Sequence, residues 1–233
     1  MSPSSPTVTH ASRTQGGFAT RLPSGKAGRD CPRCPRLEAF RLAWRTQEPG
    51  WFNAPVPSFG PLQARLLVVG LAPGLRGANR TGRPFTGDYA GDLLYATLKE
   101  YGFARGTFEA RPDDTLEMVD ARITNAVRCV PPENKPTPAE INTCRNFLAA
   151  TIGEMANLQV VVALGKIAHD TTVKALGGRL KDAPFGHGAK AMLGRVTLFS
   201  SYHCSRYNTN TGVLTPDMFR AVFATAREHL DRA

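Results

Sequence analysis

The sequence predicts an α/β protein: a doubly wound, three-layer α/β/α sandwich around a central four-stranded parallel sheet. Three observations predict it. Four short apolar runs rich in β-branched residues, at 64–70, 122–129, 159–164 and 195–201, alternate with segments of helical period. The third run is apolar on both faces from Val160 to Leu164, as a central parallel strand should be. The first run leads directly into an oversized glycine-rich loop, and ligands of open α/β sheets bind at that carboxyl end of a strand.

Residues 1–26 are rich in Ser, Thr, Pro and Gly and contain no acid, which reads as a disordered tail. No apolar segment of a secretory signal interrupts them. The remainder, 27–233, reads as one domain. Asp30-Cys31-Pro32-Arg33-Cys34-Pro35 forms a tight C-x-x-C turn. The helix that follows from Pro35 sets Leu37, Phe40 and Trp44 on one face, as expected of core residues.

The first strand, Ala64–Gly70, feeds the stretch Val69–Asp88, which holds five glycines, two prolines and three arginines. Connections usually take about 4–6 residues, so this loop reads as a site. It lacks the Gly-Lys-Ser/Thr of a phosphate loop and the G-x-G-x-x-G of a dinucleotide fold. A helix from Tyr89 to Tyr101 follows. The second strand, Arg122–Cys129, runs into a stiff Pro131-Pro132 loop, and Thr137-Pro138-Ala139-Glu140 opens a helix with a capping box. After the third strand, Gly165 turns the chain into a helix that Gly177-Gly178 stops. Residues 179–194 read as a hairpin or excursion. The fourth strand, Arg195–Ser201, delivers Tyr202–Gly212, and Thr215-Pro216 caps a last helix burying Phe219, Val222, Phe223, Ala226 and Leu230.

A net charge of +10 and a pI near 9.8 call for an anionic partner. Nucleic acid is favoured over membrane, because no basic amphipathic helix and no apolar run of about 18 residues occurs. The expected setting is the cytoplasm, and no oligomerisation signal argues against a monomer. In such a reducing compartment, five cysteines suggest ligands or spectators. Cys31-x2-Cys34 and Cys129-x14-Cys144 could together form a four-thiolate site, for zinc or for an iron–sulfur cluster. Spacing does not choose between them. Cys204 is not expected to be a ligand.

Polar residues gather at three strand ends: Arg80, Phe85 and Asp88; Asn125; His203, Ser205, Arg206 and Asn208. His169 and His229 suit structural roles on helices, and His187 stays ambiguous. With these motifs in order, the chain resembles the type-B (family 5) uracil-DNA glycosylases. The resemblance rests on Gly70-Leu-Ala-Pro-Gly, then Asn79-Arg-Thr-Gly-Arg-Pro-Phe-Thr-Gly-Asp88, Thr124-Asn-Ala-Val-Arg-Cys129 and His203-x-Ser-Arg-x-Asn208, with the four cysteines. It extends from about Cys31 to the last helix.

The resemblance implies a monofunctional DNA-repair hydrolase that flips uracil, and tolerates other deaminated bases, out of DNA and cleaves its N-glycosidic bond. The abasic site would pass to base-excision repair, and the DNA would be double- or single-stranded. It also implies a 4Fe–4S cluster on Cys31, Cys34, Cys129 and Cys144, deciding what spacing left open. Gly70 and Ala72 would border the base, Phe85 would stack on it, and Asn125 would read its N3–H and O4. His203 would bond O2 of the departing uracil as charge grows there. In the related type-A enzymes a carboxylate follows the first glycine of the loop. Here that position is Leu71, so water activation passes to Asp88, whose competing role is helix capping. Arg80, Ser205, Arg206 and Asn208 would contact the DNA. The type-A enzymes also carry proline where Cys204 stands. The alternative is a non-catalytic iron–sulfur DNA-binding or sensor module on the same fold.

Overall fold

A computed structural model describes residues 25–232. The expected tail therefore lies outside the described residues, except for its last two. Of these, Gly25 is buried and its N–H donates to Glu154 Oε1 at 3.0 Å.

The elements are α1 (Pro35–Gln47), β1 (Leu66–Gly70), α2 (Ala78–Thr81), α3 (Tyr89–Glu100), β2 (Ala104–Arg105), β3 (Glu117–Met118) and β4 (Ala121–Asn125), followed by α4 (Pro138–Glu154), β5 (Val160–Leu164), α5 (Lys166–Ala175), β6 (Lys190–Leu193), β7 (Val196–Ser201), α6 (Arg206–Asn210) and α7 (Pro216–Asp231). The main sheet has the order β4-β1-β5-β7-β6. Its first four strands are parallel, as expected, with β5 in the middle and every residue of it buried. The fifth, β6, is an addition: it pairs antiparallel with β7 and turns residues 190–201 into a hairpin at the sheet edge. Its alternating exposed and half-buried residues are those of an edge strand with one wet face. A second addition is the small β2–β3 ribbon after α3.

The second predicted strand is shorter than its sequence pattern. β4 ends at Asn125, although Ala126 and Val127 still donate to Gly70 and Leu71 carbonyls. Beyond them the ladder is lost because the Arg128 N–H turns to Cys144 Sγ at 3.2 Å. The strand end is thus bent toward the cysteines.

Apolar side chains pack on both faces of the sheet. α3 and α7 cover one face, where all five predicted α7 residues are buried. α4 and α5 cover the other. The α4 capping box forms as expected, with Thr137 and Glu140 exchanging bonds. On α1, Leu37 is buried but Phe40 and Trp44 are only half-buried, and Trp44 stacks on Trp51 at 5.4 Å. The second fully buried residue of α1 is Arg41, a correction to the expected apolar face whose cause lies at the cysteines. Among the described residues no helix is long and apolar enough to cross a membrane.

Candidate active site

Parallel pairing sets the carboxyl ends of β1 and β4 side by side, with Gly70 opposite Asn125. Any Cβ at Gly70 would lie 2.5 Å from Asn125 Oδ1 and 2.5 Å from the Phe85 ring. Glycine is therefore required where three segments converge. Asn125 is only 3% exposed, yet its carboxamide makes no hydrogen bond to the described residues. A buried amide left open in this way is expected to meet a ligand or water.

Phe85 is held with φ +52, in the left-handed region that a bulky residue avoids. The surrounding loop fixes it there. Arg83 makes a two-pronged ion pair with Asp114 at 2.7 and 2.6 Å, and its Nε donates to Thr86 Oγ1 at 2.8 Å. Both charged side chains are buried, and the guanidinium also lies over the rings of Phe59, Tyr95 and Phe108. Tyr95 closes the arrangement by donating to the Pro84 carbonyl at 2.6 Å. Phe85 is consequently both a core residue and a wall of the cleft.

Asp88 occupies the N-cap position of α3, but its side chain makes no capping bond. Oδ1 is buried without a partner. Oδ2 faces Gly77, where a Cβ would come within 2.4 Å of it. Burial raises the carboxyl pKa above the usual aspartate value; the nearby amides of Gly91 and Ala90 oppose this without closing a cap. The carboxylate is thus kept from its competing structural role.

His203 leaves the end of β7 in a loop closed by Asn208 Nδ2, which donates to the His203 carbonyl at 2.8 Å. Ser205 caps α6 by accepting from Asn208 N–H. The imidazole itself has no hydrogen-bond partner among the described residues and lies near Phe85, with ring centroids 6.1 Å apart and planes 26° from parallel. Desolvation pulls its pKa down to about 4, so the ring is neutral at pH 7. Cys204 is fully buried with its thiol toward the Ala90 carbonyl, a packing position rather than a ligand position.

These groups line one cleft of about 790 Å³, within the usual size of small-molecule sites. It brings together Ala72, Phe85, Asp88, Asn125, His203, Ser205 and Arg206, over the Gly70 floor. Arg80 and Asn208 are not in its wall: Arg80 is exposed beside Gly87, and Asn208 stands behind His203. Three polar or aromatic lining residues were missed by sequence reasoning. Arg76 belongs to the same basic loop, Tyr89 follows Asp88 and lies under the Arg206 guanidinium at 5.2 Å, and Asn134 follows the double proline with φ +58. Only Arg76 had a signal, the clustering of arginines in the loop.

Cys31, Cys34, Cys129 and Cys144 line a second, small void between α1, α4 and the end of β4. Arg41 Nη1 donates to Cys129 Sγ at 3.3 Å, and the Arg128 N–H donates to Cys144 Sγ. Among the described residues no three His, Cys, Asp or Glu side chains converge on a position for a single metal ion. Burial pushes the Cys34 thiol up to about 11 and the Cys129 thiol up to about 12.

Fold and cleft together define an α/β protein with a ligand-sized cleft at the carboxyl end of its sheet. Residues 57–227 match the family model of the Uracil DNA glycosylase superfamily, and the chain belongs to that superfamily. A Type-5 uracil-DNA glycosylase of Thermus thermophilus is 44% identical over 208 residues, covering 84% of this chain and 92% of the relative. One from Pyrobaculum aerophilum is 38% identical over 201 residues, covering 84% and 88%. A Type-4 uracil-DNA glycosylase of Thermotoga maritima is 42% identical over a shorter stretch of 110 residues, covering 47% and 49%.

Proposed function

We propose that this protein excises uracil from DNA by hydrolysing the N-glycosidic bond, as the first step of base-excision repair. The observation that carries the reading is the unpartnered carboxamide of Asn125, pinned between Gly70 and Phe85 inside the cleft. Its oxygen accepts from uracil N3–H and its NH₂ donates to O4, a pairing that cytosine reverses. Flipping is required because an enzyme cannot reach the bond of a base stacked in the duplex. Phe85 offers the flipped ring a stacking face, and Gly70 and Ala72 let it approach the backbone closely.

The chemistry divides between two side chains. As the bond breaks, negative charge gathers on uracil O2 and the sugar becomes oxocarbenium-like. The neutral imidazole of His203 donates an N–H to O2, in a site where a fixed donor is worth far more than in water. Asp88 carries its negative charge near the electron-poor sugar and holds the attacking water, accepting its proton as the new C–O bond forms. Among the described residues no lysine lines the cleft, so the proposed reaction stops at the abasic site. Leu71 in place of a carboxylate leaves an apolar wall that suits a broader set of deaminated bases.

Arg206 and Ser205 at the mouth are assigned to DNA contact, with Arg76 added by position and Arg80 from the outer loop. Asn208 acts through the His203 carbonyl instead. The four cysteines with N–H donors aimed at two of the sulfurs fit a 4Fe–4S cluster; if bound, it would supply a covalent tie joining the turn before α1 to the β4–α4 loop and α4. The protein is taken to work as a cytoplasmic monomer. A non-catalytic DNA-binding module leaves the three unpartnered groups in the cleft without a purpose.

The experiment is excision from a duplex carrying a single uracil. Wild type is expected to yield free uracil and an alkali-sensitive abasic site, and Asn125→Ala to lose most of that activity while binding undamaged duplex normally. Full excision by Asn125→Ala would remove the basis of the assignment.

A further inference from the structure

Two arginines are buried beside the four cysteines with no carboxylate in ion-pair contact, Glu154 and Asp30 acting on Arg128 and Arg41 only at longer range. Arg41 is 1% exposed and Arg128 2%. Arg41 reaches only Cys129 Sγ and the Cys31 carbonyl, the latter at 3.1 Å, and its Nε has no acceptor. The Arg128 guanidinium reaches neutral oxygens alone: the hydroxyls of Ser58, Thr124 and Thr151 and the Gly25 carbonyl. Its Nε is likewise orphaned. Neither forms an ion pair among the described residues. The neighbouring arginines differ: Arg36 is paired with Glu140 and Arg45 with Asp30.

An unpaired buried charge is strongly destabilising. Two of them at one void call for an anion of matching charge. Four thiolates around a 4Fe–4S core of charge 2+ leave a net charge of 2−, which two guanidinium groups neutralise. The placement follows the same logic: Arg41 Nη1 touches Cys129 Sγ, and the Arg128 guanidinium, which lines the same void, acts on the buried Cys144 sulfur at longer range, its direct contact with that sulfur being made by the backbone N–H.

We propose that Arg41 and Arg128 are the counter-cations of the cysteine-held cluster, fixing its reduction potential and holding it in the protein. This rests on the cluster reading above. One-electron reduction takes the cluster to 3−, so adjacent positive charge stabilises the reduced form and raises the potential. Removing one guanidinium lowers it.

The test uses the full chain purified without oxygen, comparing wild type with Arg41→Met, Arg41→Lys and Arg128→Lys. Iron, acid-labile sulfide and visible absorbance report the cluster; titration with dithionite gives its midpoint potential, and bleaching in air gives its rate of loss. Arg41→Met, which keeps an unbranched apolar stem but not the charge, is expected to shift the potential to more negative values and to bleach several-fold faster. Both lysine variants, which keep the charge, are expected to stay near wild type. Should Arg41→Met fail to retain a cluster, retention by Arg41→Lys supports the charge role, and loss in both overturns it. A loaded Arg41→Met with unchanged potential and bleaching rate also overturns it. A wild type without iron and sulfide refutes the cluster reading itself, a separate failure.

Discussion

In the proposed mechanism Asp88 concentrates the conflict between stability and activity in one side chain. Its carboxylate is buried, keeps one oxygen without a partner and declines the helix cap its position offers. A carboxyl whose folded pKa is raised binds its proton more tightly in the native state than in the unfolded one. Stability therefore falls as pH rises through that window, and the charged form at neutral pH is a net cost to the fold. Asp88→Asn is expected to raise Tm at pH 7 while sharply slowing excision. A calorimetric Tm beside a single-turnover rate checks both, and a lowered Tm would show that the carboxylate is structural. Much at this scale was legible in the sequence. Asn125, His203 and Phe85 stand at strand ends or in the loop, which marks them as candidates for one cleft, while the roles proposed for them come from the family resemblance. Arg41 was not. Four residues after Leu37 in a polar helix, it carries no apolar signal of burial, which the Cys129 sulfur and the Cys31 carbonyl explain.

At the scale of elements, the glycine-rich loop is rigid rather than loose. It is fastened to the β2–β3 excursion by Arg83 and Asp114, a connection that no local pattern announces because the partners are 31 residues apart. The Arg83 hydrogen bonds beside Asp114 hold its carboxyl down at about 2. That stabilisation is fully present above the ordinary aspartate range and disappears as pH falls through about 2. Replacing Arg83 by Met leaves a buried carboxylate unpaired, a change that costs about 3–5 kcal/mol. Urea unfolding at pH 7 is expected to show that loss, and a change below about 1 kcal/mol would mean that the pair contributes little. The same scale shows why β4 was read as too long. Its apolar pattern continues to Cys129, but Arg128 and Cys129 are buried against the cysteine void instead of the sheet. The edge strand β6 was visible only as a hairpin or excursion, because a half-exposed antiparallel strand lacks the apolar run that marks its four parallel neighbours.

The whole molecule places its two special sites at either end of one short segment. Asn125 closes β4 in the cleft, and Cys129, four residues later, lines the cysteine void, with Arg128 bonded to Thr124 and Thr151 between them. The architecture that holds the cysteines therefore also steadies the Asn125 amide, the group proposed to read the base. The chain carries a net charge of +10, and Arg76 and Arg206 line the cleft, where the proposed reading has them meet a phosphate backbone. The central claim is that the cleft breaks the glycosidic bond through His203, beyond recognising a base. It is tested most directly by single-turnover excision of uracil from duplex DNA by wild type and His203→Ala, with DNA binding measured in parallel. The account predicts free uracil and an abasic strand from wild type, and a rate about 10²–10³ lower in the variant with binding retained. Wild type that binds uracil-containing DNA without releasing the base, or His203→Ala that keeps the full rate, would contradict it.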